Sequence, residues 1–312
     1  MTPCRRGCKG TGTMSIKYEK WRQKNLTDLR GMRAVITGAN SGIGFETARG
    51  FLFGGAAVLL ACRNPLRAKE AADRLLAEFP GANVAVSQLD LASFESIDAF
   101  AGALCKGPKI NIFVHCAGIY YPKDSRTKDG LPATVGVNYI GTLRLALAVL
   151  PALSPDARMV FTTSLVDRFG RVKDGGVTAP DSSEGYAAYA RSKYLLSAAA
   201  RQLALRSASA NGPAILAAHP GITATNILAP EKTRHKPSFS RAGHAFLYLF
   251  THSPEKASLS LLMAAAGKNT KNGEIIGPRG LFGISGYPHI TRYCRRVRHA
   301  PVGEQIFSGN TR

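Results

Sequence analysis

No run of about 18 apolar residues occurs anywhere in the chain, so no membrane-spanning helix is expected. The basic amino terminus has no apolar core behind it, so it lacks the pattern of a secretory signal. The six cysteines (Cys4, Cys8, Cys62, Cys105, Cys116, Cys294) contain no pair of CxxC motifs. No metal centre is therefore expected, including at Cys4 and Cys8, and scattered thiols suit a reducing, cytoplasmic setting. Acidic residues are scarce: 20 Asp and Glu against 41 Lys and Arg give a net charge of +21. The excess is densest in Met1–Arg33 and Lys268–Arg312. Basic ends attract polyanions. No helix-turn-helix, zinc finger or aromatic RNA-binding signature accompanies them, so no nucleic-acid role is expected. A basic surface also suits a small anionic ligand.

What is present is the material for a core. Of 312 residues, 45% are hydrophobic, and from Met32 short apolar runs alternate with amphipathic segments. Arg33–Thr37, Ala57–Cys62, Val84–Gln88, Ile110–His115, Met159–Thr163, Ala214–His219 and Glu274–Ile276 read as strands. Gly42–Phe53, Pro65–Glu78 (Pro65 in its first turn), Ser93–Cys105 (capped by Ser93), a long helix ending near Leu150, Ala187–Arg206 and Ser253–Ala266 read as helices. Strands alternating with helices predict a single doubly wound, Rossmann-like α/β domain. Its mainly parallel sheet has about seven strands, with helices on both faces. The domain spans 31–277, after a basic, partly disordered leader over 1–30 and before a basic extension over 278–312. Met14 offers an alternative start. No repeat of fixed period is found. The long interruption Thr223–Thr251, with its apolar run Ala245–Phe250, is where a substrate lid is expected.

Thr37-Gly38-Ala39-Asn40-Ser41-Gly42-Ile43-Gly44 follows the first strand and opens the first helix. Glycines there permit a tight turn and let backbone N–H groups approach a pyrophosphate at the positive helix end. The spacing, Gly-x3-Gly-x-Gly, departs from the general dinucleotide fingerprint. Tyr189 is the only tyrosine followed four positions later by lysine, Lys193. On a helix that spacing stacks ammonium against phenol. A phenol of pKa about 10 is almost fully protonated at neutral pH. A cation about 4 Å away, at an effective dielectric of about 20, favours phenolate by roughly 4 kcal/mol, about three pKa units. The predicted direction is therefore down, towards a phenol able to trade a proton with an alcohol or carbonyl oxygen. Ser164 lies 25 residues upstream, at a strand end.

Gly-x3-Gly-x-Gly, Asp90-Leu91, Asn138, Ser164, Tyr-x3-Lys and Pro220-Gly221, in that order, resemble the short-chain dehydrogenase/reductase family across about Gly31–Gly277. Ala61–Asn64 (ACRN) and His219–Thr225 (HPG-x3-T) are most similar to its retinol dehydrogenase and protochlorophyllide reductase branch. The resemblance implies catalytic roles for Ser164, Tyr189, Lys193 and Asn138. Ser164 holds the substrate oxygen, Tyr189 gives or takes the proton, Lys193 also binds the nicotinamide ribose, and Asn138 holds a water linking Lys193 to solvent. Thr162 shares a strand face with Ser164 and Thr163 adjoins it, so the choice of Ser164 rests on the alignment. The resemblance also implies a cofactor site at Gly38, Asn40, Ser41, Gly42, Ile43, Gly44, Arg63, Asp90, Leu91, Ala117, Gly118, Tyr189, Lys193, Pro220, Gly221, Ile222 and Thr225.

Where NAD-preferring members end the second strand in an acidic residue, this chain has Cys62 and then Arg63. A guanidinium can fork onto a 2′-phosphate, so NADP is expected. The family's Asn-Asn-Ala-Gly appears as His115-Cys116-Ala117-Gly118. The small pair is kept, and His115 is expected to be a packed substitute, not a base. The resulting expectation is an NADP-dependent oxidoreductase acting on an alcohol or carbonyl, with a lipophilic small-molecule substrate suggested by the apolar lid run. Two alternatives stand beside it: reduction of a carbon–carbon double bond, and a silent NADP-binding sensor or scaffold. Monomer and homodimer are left open.

Overall fold

The apolar runs and their caps produce an alternating chain, seen in a computed structural model that describes residues 16–120, 126–172, 185–222 and 253–299. Its first half runs α1 (Ile16–Asn25), β1 (Arg33–Thr37), α2 (Gly42–Phe53), β2 (Ala57–Cys62), α3 (Pro65–Glu78), β3 (Val84–Gln88), α4 (Phe94–Cys105) and β4 (Ile110–His115). A helix over 133–148, α5, is continuous but carries a π segment at Gly136–Gly141. Then come β5 (Leu153–Thr162), a 3-10 turn (Leu165–Phe169), α6 (Gly185–Ser209), β6 (Ala214–Ala218), α7 (Pro254–Ala266), β7 (Ile275–Pro278), β8 (Pro288–Thr291) and α8 (Arg295–Arg298). Caps set several starts. Asn64 accepts from Arg67 N–H at 3.1 Å, Ser93 from Ser96 N–H at 3.3 Å and Ser253 from Lys256 N–H at 3.2 Å. Each such cap is worth about 1 kcal/mol.

The sheet order is β3-β2-β1-β4-β5-β6-β7-β8, parallel until β8 joins antiparallel to β7. Side chains alternate between two cores. Val35, Phe113 and Phe161 face one shared with α4, α5 and α6, while Ala34, Ile36 and Val114 face the other, shared with α2, α3 and α7. Burying a Phe or Leu side chain in this way contributes about 1.5–3 kcal/mol. Burial on both faces is why these strands read as continuous apolar runs.

Among the described residues the sheet has eight strands, where the sequence suggests about seven. The additional strand, β8, lies within the stretch read as a basic extension. It is four residues long and sits at the edge, too short to carry a periodic signal. At the other end α1 lies within the stretch read as a leader. Leu26 and Leu29 beyond it are buried, and Thr27 N–H donates to Ala266 O at 2.8 Å. Strand β5 also starts at Leu153 and not at Met159, passing a register shift opposite Ile110 and Ile112 that masks its alternation. The expected lid, Thr223–Thr251, is outside the described residues.

Two contacts place the turn after β5 on α6. Gly170 packs so closely on the Ala190 carbonyl and on Tyr194 that a Cβ there would collide with backbone. Beside it, Ser197 Oγ donates to Asp167 Oδ2 at 2.8 Å. Ser164, which opens the turn, is thereby fixed relative to Tyr189, the residue before Ala190.

Candidate active site

The order of strands reverses between β1 and β4, and a cleft of about 640 Å³ opens at their carboxyl ends. Its first wall is backbone. Gly38 has φ +69°, and a Cβ on it would lie 2.8 Å from Ala117 Cα. Gly44 packs on the Gly38 carbonyl with no room for a side chain. Thr37 Oγ1 accepts from both Cys116 N–H and Ala117 N–H at 3.0 Å, clamping the β1 and β4 ends together. Every residue from Gly38 to Gly44 except Ala39 reaches the cleft, as do Ala117 and Gly118.

Beyond β2, Arg63 is exposed at the cleft and has no ion-pair partner among the described residues. Asp90 and Leu91 line the same side, with Asp90 Oδ1 accepting from Ala92 N–H at 3.0 Å. Pro220, Gly221 and Ile222 close the opposite end, while Thr225 lies outside the described residues. Sequence reasoning missed Arg74. Its guanidinium lies 4.3 Å from the Phe45 ring centroid and donates to Asn40 O at 3.3 Å, bracing the glycine turn from α3. A lone arginine on an amphipathic helix gives no signal of that.

The second wall is made of side chains. Of the three hydroxyls at the β5 end, Thr163 donates to Ala218 O at 3.3 Å, and Thr162 offers its carbonyl to Lys193 Nζ at 2.8 Å. Ser164 accepts from Val166 N–H at 3.5 Å and hydrogen-bonds the Tyr189 phenol. Ser164, Tyr189 and Lys193 all line the cleft. Asn138 does not line it. In the π segment, where Thr142 Oγ1 donates to Val137 O at 3.0 Å, Asn138 accepts from Ile119 N–H at 2.7 Å and donates to Ile119 O at 2.8 Å and Ser192 Oγ at 3.1 Å. It thus ties the segment that follows β4 to α6, beside Gly118. Such π segments often mark functional positions.

The titration of the pair differs from the i,i+4 expectation. Burial pushes the Tyr189 phenol up to about 12, and the Ser164 hydrogen bond opposes this only in part. Lys193 Nζ lies 5.7 Å from the Tyr189 ring centroid, directed at the Thr162 carbonyl, and burial lowers its own pKa to about 8. Desolvation outweighs the pair attraction, so the phenol is held protonated at neutral pH. The spacing was visible in sequence; the burial that reverses the sign was not. Tyr120, also unforeseen, meets the Tyr189 ring edge-on at 5.4 Å.

His115 is buried between Phe113 and Phe161, with centroids 4.7 Å away on both sides and the Phe161 ring 10° from parallel. Neither ring nitrogen has a partner among the described residues, and burial lowers its pKa to about 3. It is a packed neutral ring, as expected from the sequence. Cys116 faces the cleft with its thiol pushed up to about 11 by burial, so it is not a thiolate nucleophile. Among the described residues there is no cluster suited to a metal ion, and no helix long and apolar enough to cross a membrane.

Comparison with known proteins bears on this arrangement. Retinol dehydrogenase 12 of Mus musculus is 33% identical over 239 residues, covering 76% of this chain and 74% of that protein. A WW domain-containing oxidoreductase of Gallus gallus is 42% identical over 178 residues, covering 53% of this chain and 43% of the relative. The chain thus spans less than half the length of that relative. Among solved structures, a Mycobacterium Paratuberculosis protein aligns with a TM-score of 0.70 at 26% identity, covering 88% of this chain and 90% of that one. A Shigella flexneri short chain dehydrogenase complexed with NADP aligns at 0.61 and 24% identity, covering 80% and 97%, a likeness of fold. The family model described as short chain dehydrogenase matches residues 32–236. With that match over more than half its length, the chain belongs to the short-chain dehydrogenase/reductase family of oxidoreductases.

Proposed function

We propose that the protein is an NADP-dependent oxidoreductase interconverting an alcohol and a carbonyl on a small lipophilic substrate, with Tyr189 as the proton donor and acceptor. The observation that carries this reading is the convergence of Ser164, Tyr189 and Lys193 in the cleft that also holds the close-packed glycine turn. The residues fit a dinucleotide. Gly38 and Gly44 leave bare backbone where a Cβ would intrude, α2 presents its N-terminus, and Arg63 supplies an unpaired guanidinium for a 2′-phosphate. When bound, the nicotinamide supplies or accepts the hydride. Ser164 Oγ holds the substrate oxygen as charge develops on it. Tyr189, held protonated by burial, then gives its proton to that oxygen, a downhill transfer because an alkoxide is a stronger base than a phenolate. Lys193, with one donor on Thr162 O, has others left for a ribose hydroxyl or the phenolate. Relatives named retinol dehydrogenase support a lipophilic alcohol as the substrate class.

The test is NADPH and NADH oxidation by purified protein against aldehydes and ketones of graded chain length. Turnover preferring NADPH and rising with chain length is expected. Tight NADPH binding with no turnover on any carbonyl would leave a silent binding protein in its place.

A further inference from the structure

A second cavity, of about 470 Å³, opens on the turn that follows Ser164. Ser164 lines both this cavity and the cleft, so the two share a wall. Three arginines from separate segments reach it: Arg168 on the 3-10 turn, Arg279 after β7 and Arg292 after β8. None of the three makes an ion pair among the described residues. The one carboxylate among the described lining residues, Asp167, is buried, takes the Ser197 hydroxyl at 2.8 Å, and is shifted towards its neutral form by burial. It does little to balance three guanidinium groups.

Two histidines complete the wall. His289 is committed through Nδ1 to Gly277 O at 2.9 Å. His219 is 6% exposed, packs flat against Gly277, and its Nδ1 has no partner among the described residues. Burial, with the Arg168 charge added to it, lowers the His219 pKa to about 4 and holds the ring neutral. Arg168 spends Nε on Leu165 O at 3.0 Å and keeps its terminal nitrogens, so a concave site lined by three arginines and one unused buried imidazole nitrogen matches an oxyanion in charge and donor chemistry.

We infer that this cavity is a second binding site, taking a phosphate or carboxylate group through Arg168, Arg279 and Arg292 with His219 at its floor. Arg168 stands four residues after Ser164, on the same turn. A substrate whose carbonyl sits at Ser164 can therefore place an acidic far end in the cavity. That assignment of the anion to the substrate rests on the oxidoreductase reading, whereas the anion site itself does not. The same chemistry also accepts a free phosphate.

The experiment titrates inorganic phosphate into the full chain by calorimetry at low salt, with and without saturating NADP, which occupies the phosphate-binding features of the cleft. Wild type, Arg63→Gln and the double variant Arg279→Gln/Arg292→Gln are compared. Both substituted arginines, Arg279 and Arg292, are exposed, and equal melting temperatures confirm that the fold is kept. In the NADP-saturated state, saturable binding is expected for wild type and Arg63→Gln, weakened at least about ten-fold in the double variant. Absence of saturable binding to wild type, or equal affinity in the double variant, overturns the proposal. A second arm compares KM for an aldehyde with a terminal carboxylate against its methyl ester. A KM rise of about ten-fold or more for the acid alone in the double variant assigns the site to the substrate. An unchanged KM ratio with phosphate binding lost assigns it to a free anion. Failure of NADP to bind counts against the oxidoreductase reading alone, because phosphate is also titrated without it.

Discussion

At one end of the cleft the walls are backbone, and at the other they are buried side chains. The glycine end works by close approach: Gly38 against Ala117, Gly44 against Gly38, Thr37 clamping two N–H groups, and an exposed Arg63 beside them. The tyrosine end works by desolvation, with a phenol raised to about 12 and an ammonium lowered to about 8. Ligand affinity should therefore follow changes at the first end and chemistry changes at the second. Mutations can break this division.

The largest effect is expected from Tyr189→Phe. Removing only the proposed proton donor should lower kcat by about 10²–10⁴-fold and leave the NADPH dissociation constant within a few-fold of wild type. A matching loss in both quantities would mean that the two ends are not separable. Next comes Arg63→Ala, at the exposed end. A charge-assisted contact worth roughly 1.5–3 kcal/mol predicts a loss of NADPH-over-NADH selectivity of about 10- to 150-fold, with kcat little changed. The selectivity should shrink as salt rises, because the side chain is exposed. Equal weakening for both nucleotides would assign Arg63 to the fold.

The smallest effect concerns His115, between the two ends. Its folded pKa of about 3 lies below the unfolded value of about 6.5. Below pH 6.5 the unfolded chain takes a proton that the folded chain refuses, so this contribution is fully present above 6.5 and lost as pH falls towards 3. At pH 4.5 the loss is about 2–3 kcal/mol, roughly 3–5 °C in Tm. His115→Phe, which keeps the ring stack between Phe113 and Phe161, should fall less in Tm between pH 7 and 4.5 than wild type does. His219 titrates over a similar range in both proteins, so the difference between them isolates His115. Identical acid limbs would show that the ring is protonated in the folded protein.

The same division sets what could be read from the sequence. Gly-x3-Gly-x-Gly encodes a backbone shape directly, and Asn64, Ser93 and Ser253 encode helix starts, so the turn, its strand and most helices are legible. The Tyr-x3-Lys spacing located the chemistry end, but its pKa direction depends on neighbours supplied by β4, β5 and the turn after β5, distant in sequence. Edge strand β8 is too short for periodicity, and α1 is bound by Thr27 and Lys268 backbone contacts that leave no compositional trace. The basic cavity is assembled from Arg168, Arg279 and Arg292, more than 100 residues apart at the extremes, so no local pattern in the sequence marks it.

The most direct test of carbonyl chemistry at Ser164 and Tyr189 is a single turnover with NADPH deuterated at the transferable position and a long-chain α,β-unsaturated aldehyde. Mass spectrometry and NMR then locate the label. Deuterium on the carbinol carbon of an allylic alcohol is the predicted result. Deuterium on the β-carbon of a saturated aldehyde would contradict it in favour of double-bond reduction, and no transfer from bound nucleotide would contradict it in favour of a silent binding protein.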